Sequence, residues 1–157
     1  MKLTSAHWGT YQLEIKLHGQ LDNGKLSLSA KIKGHEIIEI NPVDATAKNL
    51  KNSDVVRVFN QRGTCYCGVK ITNDVMPGVV VIRTGSWYDP VSPGTPMTPC
   101  KHGNPNVLTP DIGTSKIAQG PAAHSCLVNC EKYHGNPLQI TAQKPPKING
   151  TAAKNRR

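Results

Sequence analysis

Asp54-Val55-Val56-Arg57-Val58-Phe59-Asn60-Gln61-Arg62-Gly63-Thr64-Cys65-Tyr66-Cys67-Gly68-Val69-Lys70-Ile71 is the stretch that sets the fold class. β-Branched and aromatic side chains suit a pleated, half-buried surface. Asn60-Gln61-Arg62-Gly63 supplies turn chemistry between two such runs, so 54–71 is predicted to be a hairpin. The same pattern recurs outward. Tyr11, Leu13 and Ile15 alternate with polar neighbours through 10–16, the mark of a half-buried strand. Asp22-Asn23-Gly24 is a turn signal, and Leu26, Leu28, Ala30 and Ile32 alternate after it as a second strand. Residues 36–40 carry Ile37, Ile38 and Ile40. Asn41-Pro42 then opens a short helix that ends near Asn49, with Asn41 as N-cap and Pro42 at the first helical position. Pro77-Gly78 precedes a strand over 79–83, a short helix is expected at 111–119, and a closing strand at 125–133. Short strands at this spacing predict a mainly β fold, a small closed β-barrel with two or three short helices.

The 157 residues suit one domain, and 14 glycines and 12 prolines against 4% aromatic residues favour strands and turns over a helical bundle. No apolar run approaches the roughly 18 residues of a membrane-spanning helix, which excludes that class. The N-terminus lacks the apolar core of a signal peptide, and five cysteines are an odd number for a disulfide framework, so a reducing cytoplasm is expected. Cys65, Cys67, Cys100, His102, His124, Cys126 and Cys130 could supply zinc ligands. None of the pairs has Cys-x-x-Cys spacing, and their places in alternating runs read as small apolar core residues rather than a metal site. The net charge is +9, with five basic residues and no acid from Gln143 to Arg157. Such a tail beside Pro145 and Pro146 reads as disordered and solvated. It lacks an aromatic stacking platform, which weakens the alternative of a nucleic-acid-binding module.

Gly85 to Pro110 is a long stretch rich in Pro, Gly, Asn and Asp, a length that in a compact domain marks function or disorder. The chain has no phosphate-loop, dinucleotide or zinc-protease motif. Ser86, Cys100, His102 and Asp111 offer nucleophiles and partners, but without a nucleophile elbow no catalytic residue is assigned. Three segments stand out instead: His18-Gly19-Gln20, His102-Gly103-Asn104-Pro105-Asn106 and Gln119-Gly120-Pro121. Glycine admits a ligand close to the backbone. Asn and Gln present a donor and an acceptor side by side, matching the edge of a purine or pterin. Each segment alone also reads as a turn; together they point to a heterocyclic ligand.

Residues 17–133 closely resemble the C-terminal domain of the dimethyl sulfoxide reductase family, in its trimethylamine N-oxide and biotin sulfoxide reductase branch. The resemblance runs through Leu17-His18-Gly19-Gln20-Leu21-Asp22, Ile40-Asn41-Pro42-Val43-Asp44-Ala45 and Asp54 to Gly63. Its most specific stretches are Gly85-Ser86-Trp87-Tyr88-Asp89-Pro90, His102-Gly103-Asn104-Pro105-Asn106-Val107-Leu108-Thr109 and Gly113 to Pro121. It implies a double-psi β-barrel of the aspartate-decarboxylase-like kind, binding the molybdopterin guanine dinucleotide of a bis-dinucleotide molybdenum cofactor. By position it implies cofactor contacts at His18, Gly19, Gln20, His102, Asn104, Asn106, Gln119 and Gly120, with Trp87 and Tyr88 on the wall of the cleft; buried core aromatics would carry the same pattern.

The family's molybdenum ligand is a serine in the part preceding this barrel, and nothing here resembles that part, so no serine is assigned as the ligand. Thr4-Ser5-Ala6-His7-Trp8-Gly9-Thr10-Tyr11 resembles the start of the same catalytic subunits. The expected organisation is an N-terminal strand segment over 1–16, a cofactor-binding barrel over 17–135 and a basic tail over 136–157, a reductase with its middle deleted. The leading expectation is a cofactor-binding domain of an N-oxide or S-oxide reductase, not catalytic alone. The alternative is a small subunit whose partner is the remaining reductase domains on another chain.

Overall fold

The computed structural model describes residues 1–6, 19–113, 115–117, 119 and 125–145. Within them lie seven strands: β1 (Lys2–Ala6), β2 (Ile37–Ile40), β3 (Val55–Asn60), β4 (Gly63–Ile71), β5 (Val79–Arg83), β6 (Ser125–Leu127) and β7 (Asn129–Lys132). Two short helices, α1 (Lys25–Ala30) and α2 (Pro42–Ala47), accompany them. The sheet order is β6-β1-β5-β2-β4-β3-β7. β6 and β7 are separated only by Val128, yet β6 pairs with β1 at one edge and β7 with β3 at the other. The chain itself therefore joins the two edges, and the sheet closes into a barrel. Closure removes the exposed edges at which strands of separate chains pair. Parallel pairs, β1 with β5 and β2 with β4, mix with antiparallel ones, in keeping with a double-psi β-barrel.

The hairpin is present as expected, with Val56 opposite Cys67 and Val58 opposite Cys65. Its inward residues join Ile38, Ile40, Val69, Val80, Ile82, Cys100 and Leu108 in one core. Cys65, Cys67, Cys100 and Cys130 are buried there as free thiols, which bears out the packing reading. Burial pushes the Cys130 thiol up to about 12, so it stays protonated and inert. α2 begins as predicted, with the Asn41 side chain accepting from the Val43 N–H at 2.9 Å and Pro42 in the first turn.

Five expectations need revision or fall outside what is described. Residues 26–30 form a helix, not a strand. Lys25 to Ala30 contain no β-branched or aromatic residue, so backbone propensity favours the helix. The inside–outside sense is also the reverse of the alternation: Leu26 and Leu28 are exposed and Ser27 is buried. The helix expected at 111–119 is absent from the described part of that stretch, which forms bends with Ile112 and Ile117 exposed. A short helix that buries no apolar face has nothing to hold it together. The closing strand is broken at Val128, whose N–H donates to the Met1 carbonyl and whose carbonyl accepts from the Met1 amino group, each at 2.9 Å. Residues 136–145 do not lie free as a solvated tail: Thr141, Ala142 and Gln143 bond to the body. The strand expected over 10–16 lies outside the described residues, as does the tail beyond 145.

Candidate functional site

β5 ends at Arg83, and the chain then leaves the barrel through Gly85, which has φ +89°. The next residues build the candidate site. Trp87 is 40% exposed, yet both of its nitrogens are used. The indole Nε1–H donates to the Gly19 carbonyl, and the backbone N–H donates to Asp22 Oδ2 at 3.2 Å. Tyr88 beside it is exposed. The loop returns at His102, which is wholly buried, and turns at Gly103 with φ +86°. A Cβ at Gly103 would meet the Glu36 side chain and the Tyr66 carbonyl, so the turn lies hard against the barrel. Asn104 then caps a 3-10 turn over Pro105–Val107, its Oδ1 accepting from the Asn106 N–H at 2.9 Å.

A buried polar cluster lies beneath this surface. Asp22 is fully buried and accepts from Lys31 Nζ at 2.8 Å. Lys31 also donates to Glu36 Oε2 at 3.1 Å, and Ser86 Oγ donates to the same oxygen at 2.6 Å. His102 Nδ1 lies 3.1 Å from the Trp87 carbonyl and 3.5 Å from Asp22 Oδ2. Burial lowers the His102 pKa, with the Lys31 ammonium acting the same way and Asp22 opposing them. The imidazole is therefore neutral at pH 7, and its Nδ1–H donates to the Trp87 carbonyl. Two carboxylates and one ammonium removed from water are stable only when hydrogen-bonded throughout, and these bonds join the Gly19–Asp22 turn, α1, β2 and the 85–104 loop into one unit.

Of the residues picked out from the sequence, Gly19 and Trp87 touch, and His102 holds Trp87 from behind. Gln20, Tyr88 and Asn106 are exposed and Asn104 half-buried; among the described residues no group accepts from the Asn104 Nδ2 or bonds the Gln20 and Asn106 side-chain amides. The Gln119 Nε2 donates to the carbonyls of Ser115 and Lys116 at 2.9 and 3.4 Å. His18 and Gly120 lie outside the described residues. Among those described, no group of three or more His, Cys, Asp or Glu is placed to hold a metal ion. Sequence reading missed Asp22, Lys31, Glu36, Asp89 and Gln143 as structural members of the site. Asp22 registered as a turn residue and as the end of a resembling stretch, not as a buried charge, and no local pattern marks a charge as buried when its partners are 65 and 121 residues away.

The profile of the family described as "Molydopterin dinucleotide binding domain" matches residues 7–127, and so takes in part of the stretch read as a separate N-terminal segment. The chain is 46% identical over 136 residues to trimethylamine-N-oxide reductase 1 of Escherichia coli strain K12, a match covering 86% of this chain and 16% of that protein. It is 44% identical over 132 residues to the dimethyl sulfoxide/trimethylamine N-oxide reductase of Cereibacter sphaeroides, again covering 16% of the relative. The chain thus spans a small part of the length of these enzymes. Acetylene hydratase from Pelobacter acetylenicus shares the fold, with a TM-score of 0.61 over 85% of this chain and 18% of that one, at 14% identity. The profile match covers most of the barrel, and the chain belongs to the molybdopterin dinucleotide-binding domain family.

Proposed function

We propose that the chain binds molybdopterin guanine dinucleotide on the wall formed by Gly19, Gln20, Trp87, Tyr88 and the Asn104–Asn106 turn, and that N-oxide or S-oxide reduction requires protein beyond this domain. The observation that carries the reading is Trp87, 40% exposed while its indole Nε1–H is tied to Gly19 and its backbone N–H to Asp22. A fixed aromatic face offers a stacking surface to a heterocycle. The side-chain amides of Gln20 and Asn106 offer donor–acceptor pairs, and the Asn104 Nδ2 a further donor, to a purine or pterin edge. The residues present therefore fit such a ligand. When bound, that cofactor supplies a molybdenum centre that changes oxidation state while oxygen leaves the substrate. This chain's own residues orient the dinucleotide and keep water from one of its faces.

Affinity in isolation should be weak, because ligand sites gain by enclosing most of the ligand and a single wall leaves the other face in water. A second reading, a small subunit completing a reductase on another chain, is favoured by Leu21, Leu26 and Leu28, exposed on the segment that follows Gly19 and Gln20. Copurification with a large molybdoprotein would select that reading. The main reading is tested by assaying the purified chain, supplied with cofactor, for trimethylamine N-oxide reduction from a reduced dye, alongside a titration of its tryptophan fluorescence with guanosine diphosphate. No turnover and saturable quenching in the millimolar range, abolished by Trp87→Ala, are expected. Turnover above a no-protein control, or quenching that Trp87→Ala leaves intact, would overturn it.

A further inference from the structure

We propose that the C-terminal segment Thr141–Gln143 is a strap that positions the Trp87–Tyr88 wall, with Gln143 and Thr141 as its positioning residues; the ligand of that wall rests on the reading above. Two carboxylates bracket the aromatic pair, and the strap engages both. Asp89, next after Tyr88, is buried and accepts from the Thr141 N–H and hydroxyl at 2.6 Å each and from the Ala142 N–H at 3.1 Å. Lys101 joins this latch, its Nζ 3.2 Å from Asp89 Oδ1 and 3.0 Å from Thr141 Oγ1. Asp22, which holds the Trp87 N–H, also accepts from the Gln143 amide at 3.3 Å.

The same amide nitrogen lies 3.3 Å from His102 Nε2. With its Nδ1–H donated to the Trp87 carbonyl, His102 presents a lone pair at Nε2, so Gln143 is the donor there and the tautomer is set from both sides. Just before the latch, Ile140 packs over Gly34, where a Cβ would come within 3.0 Å of Ile140 Cγ1. Three consecutive residues thus hold the first, second and last turns of the wall together. Asp89 is a sound anchor: burial alone would raise its pKa, but the Thr141 bonds and Lys101 bring it below the ordinary carboxylate value, so it is ionised at neutral pH. Hydrogen bonds to an ionised group are the stronger kind.

The test uses the full chain carrying Trp8→Phe, which leaves Trp87 as its only indole. Thr141→Ala, Gln143→Ala and their combination are compared with the parent for acrylamide quenching of Trp87, for denaturant midpoint, and for guanosine diphosphate affinity. Loss of the strap is expected to raise quenching and shift emission to the red, while folded secondary structure persists by circular dichroism. Nucleotide affinity should fall about five- to tenfold, the equivalent of one imperfectly held wall. Thr141→Ser, which keeps the hydroxyl, should restore both readouts. If the combined variant does not fold, each single variant carries the same comparison. Unchanged quenching in the variants would overturn the strap whether or not nucleotide binds. Absence of nucleotide binding to the parent, with quenching altered in the variants, would instead overturn only the cofactor reading.

Discussion

A Cβ at Gly103 would lie 2.8 Å from Glu36 Cβ, 3.2 Å from the Tyr66 carbonyl oxygen and 3.3 Å from Cys67 Sγ, on a backbone with φ +86°. Gly103→Ala combines left-handed strain with overpacking against barrel backbone, and is expected to cost roughly 1–3 kcal/mol by denaturant melt. Arg83 makes the opposite case. Its Nη1 is buried and has no hydrogen-bond partner among the described residues, and its Nη2 reaches Glu39 at 3.4 Å, an acceptor shared with Lys70 at 2.9 Å. Arg83→Met should therefore leave stability within about 1 kcal/mol of the parent, whereas Glu39→Met, which strands the guanidinium, should cost about 3 kcal/mol. The histidines set the pH response. Burial lowers the pKa of both His35 and His102 from 6.5. As pH falls through 6.5 the unfolded chain takes up protons that the native state refuses, so this contribution is complete above 6.5 and is lost toward the lowered native values. Urea midpoints should fall between about pH 7.5 and about pH 5.5, and His35→Phe with His102→Gln should flatten that slope.

Among the elements, the hairpin was legible because Val56, Val58, Cys65 and Cys67 point one way in both arms, and period two is the geometry of a strand. α2 was legible because its start is encoded locally by Asn41 and Pro42. Asn41 does more than cap: its Nδ2 donates to the Val75 carbonyl at 2.7 Å. Asn41→Ala removes the cap and leaves a buried carbonyl unpaired, so a loss of about 2 kcal/mol is expected, and Asn41→Asp should recover the cap alone. α1 was not legible, since six residues are too few to separate a helical period from a chance alternation, and Leu26 and Leu28 face solvent. The 111–119 stretch failed for a related reason: among its described residues Ile112 and Ile117 are exposed, so no apolar face is buried there to favour a helix.

For the whole molecule, the barrel follows from the break at Val128, after which the same chain segment passes from pairing with β1 to pairing with β3 and so serves both edges of the sheet. A closing strand at 125–133 was readable from alternation; its division was not, because Val128 bonds to Met1 at the other end of the chain. The candidate site divides in the same way. Its surface residues, Gly19, Gln20, Trp87, Tyr88, Asn104 and Asn106, were visible as exposed loop chemistry and as a family resemblance. Its buried support, Asp22, Lys31, Glu36, Asp89 and Gln143, was invisible because only the folded chain brings those polar groups together.

The central claim, a dinucleotide-binding wall on one side of this barrel, is most directly tested by amide shifts of the ¹⁵N-labelled chain during titration with guanosine diphosphate, at low and at high salt. Shifts are expected at Gly19, Gln20, Trp87, Asn104 and Asn106, and they should persist when salt is added. Shifts confined to the basic stretch 143–157 and erased by salt would mean charge attraction alone, and would contradict that claim.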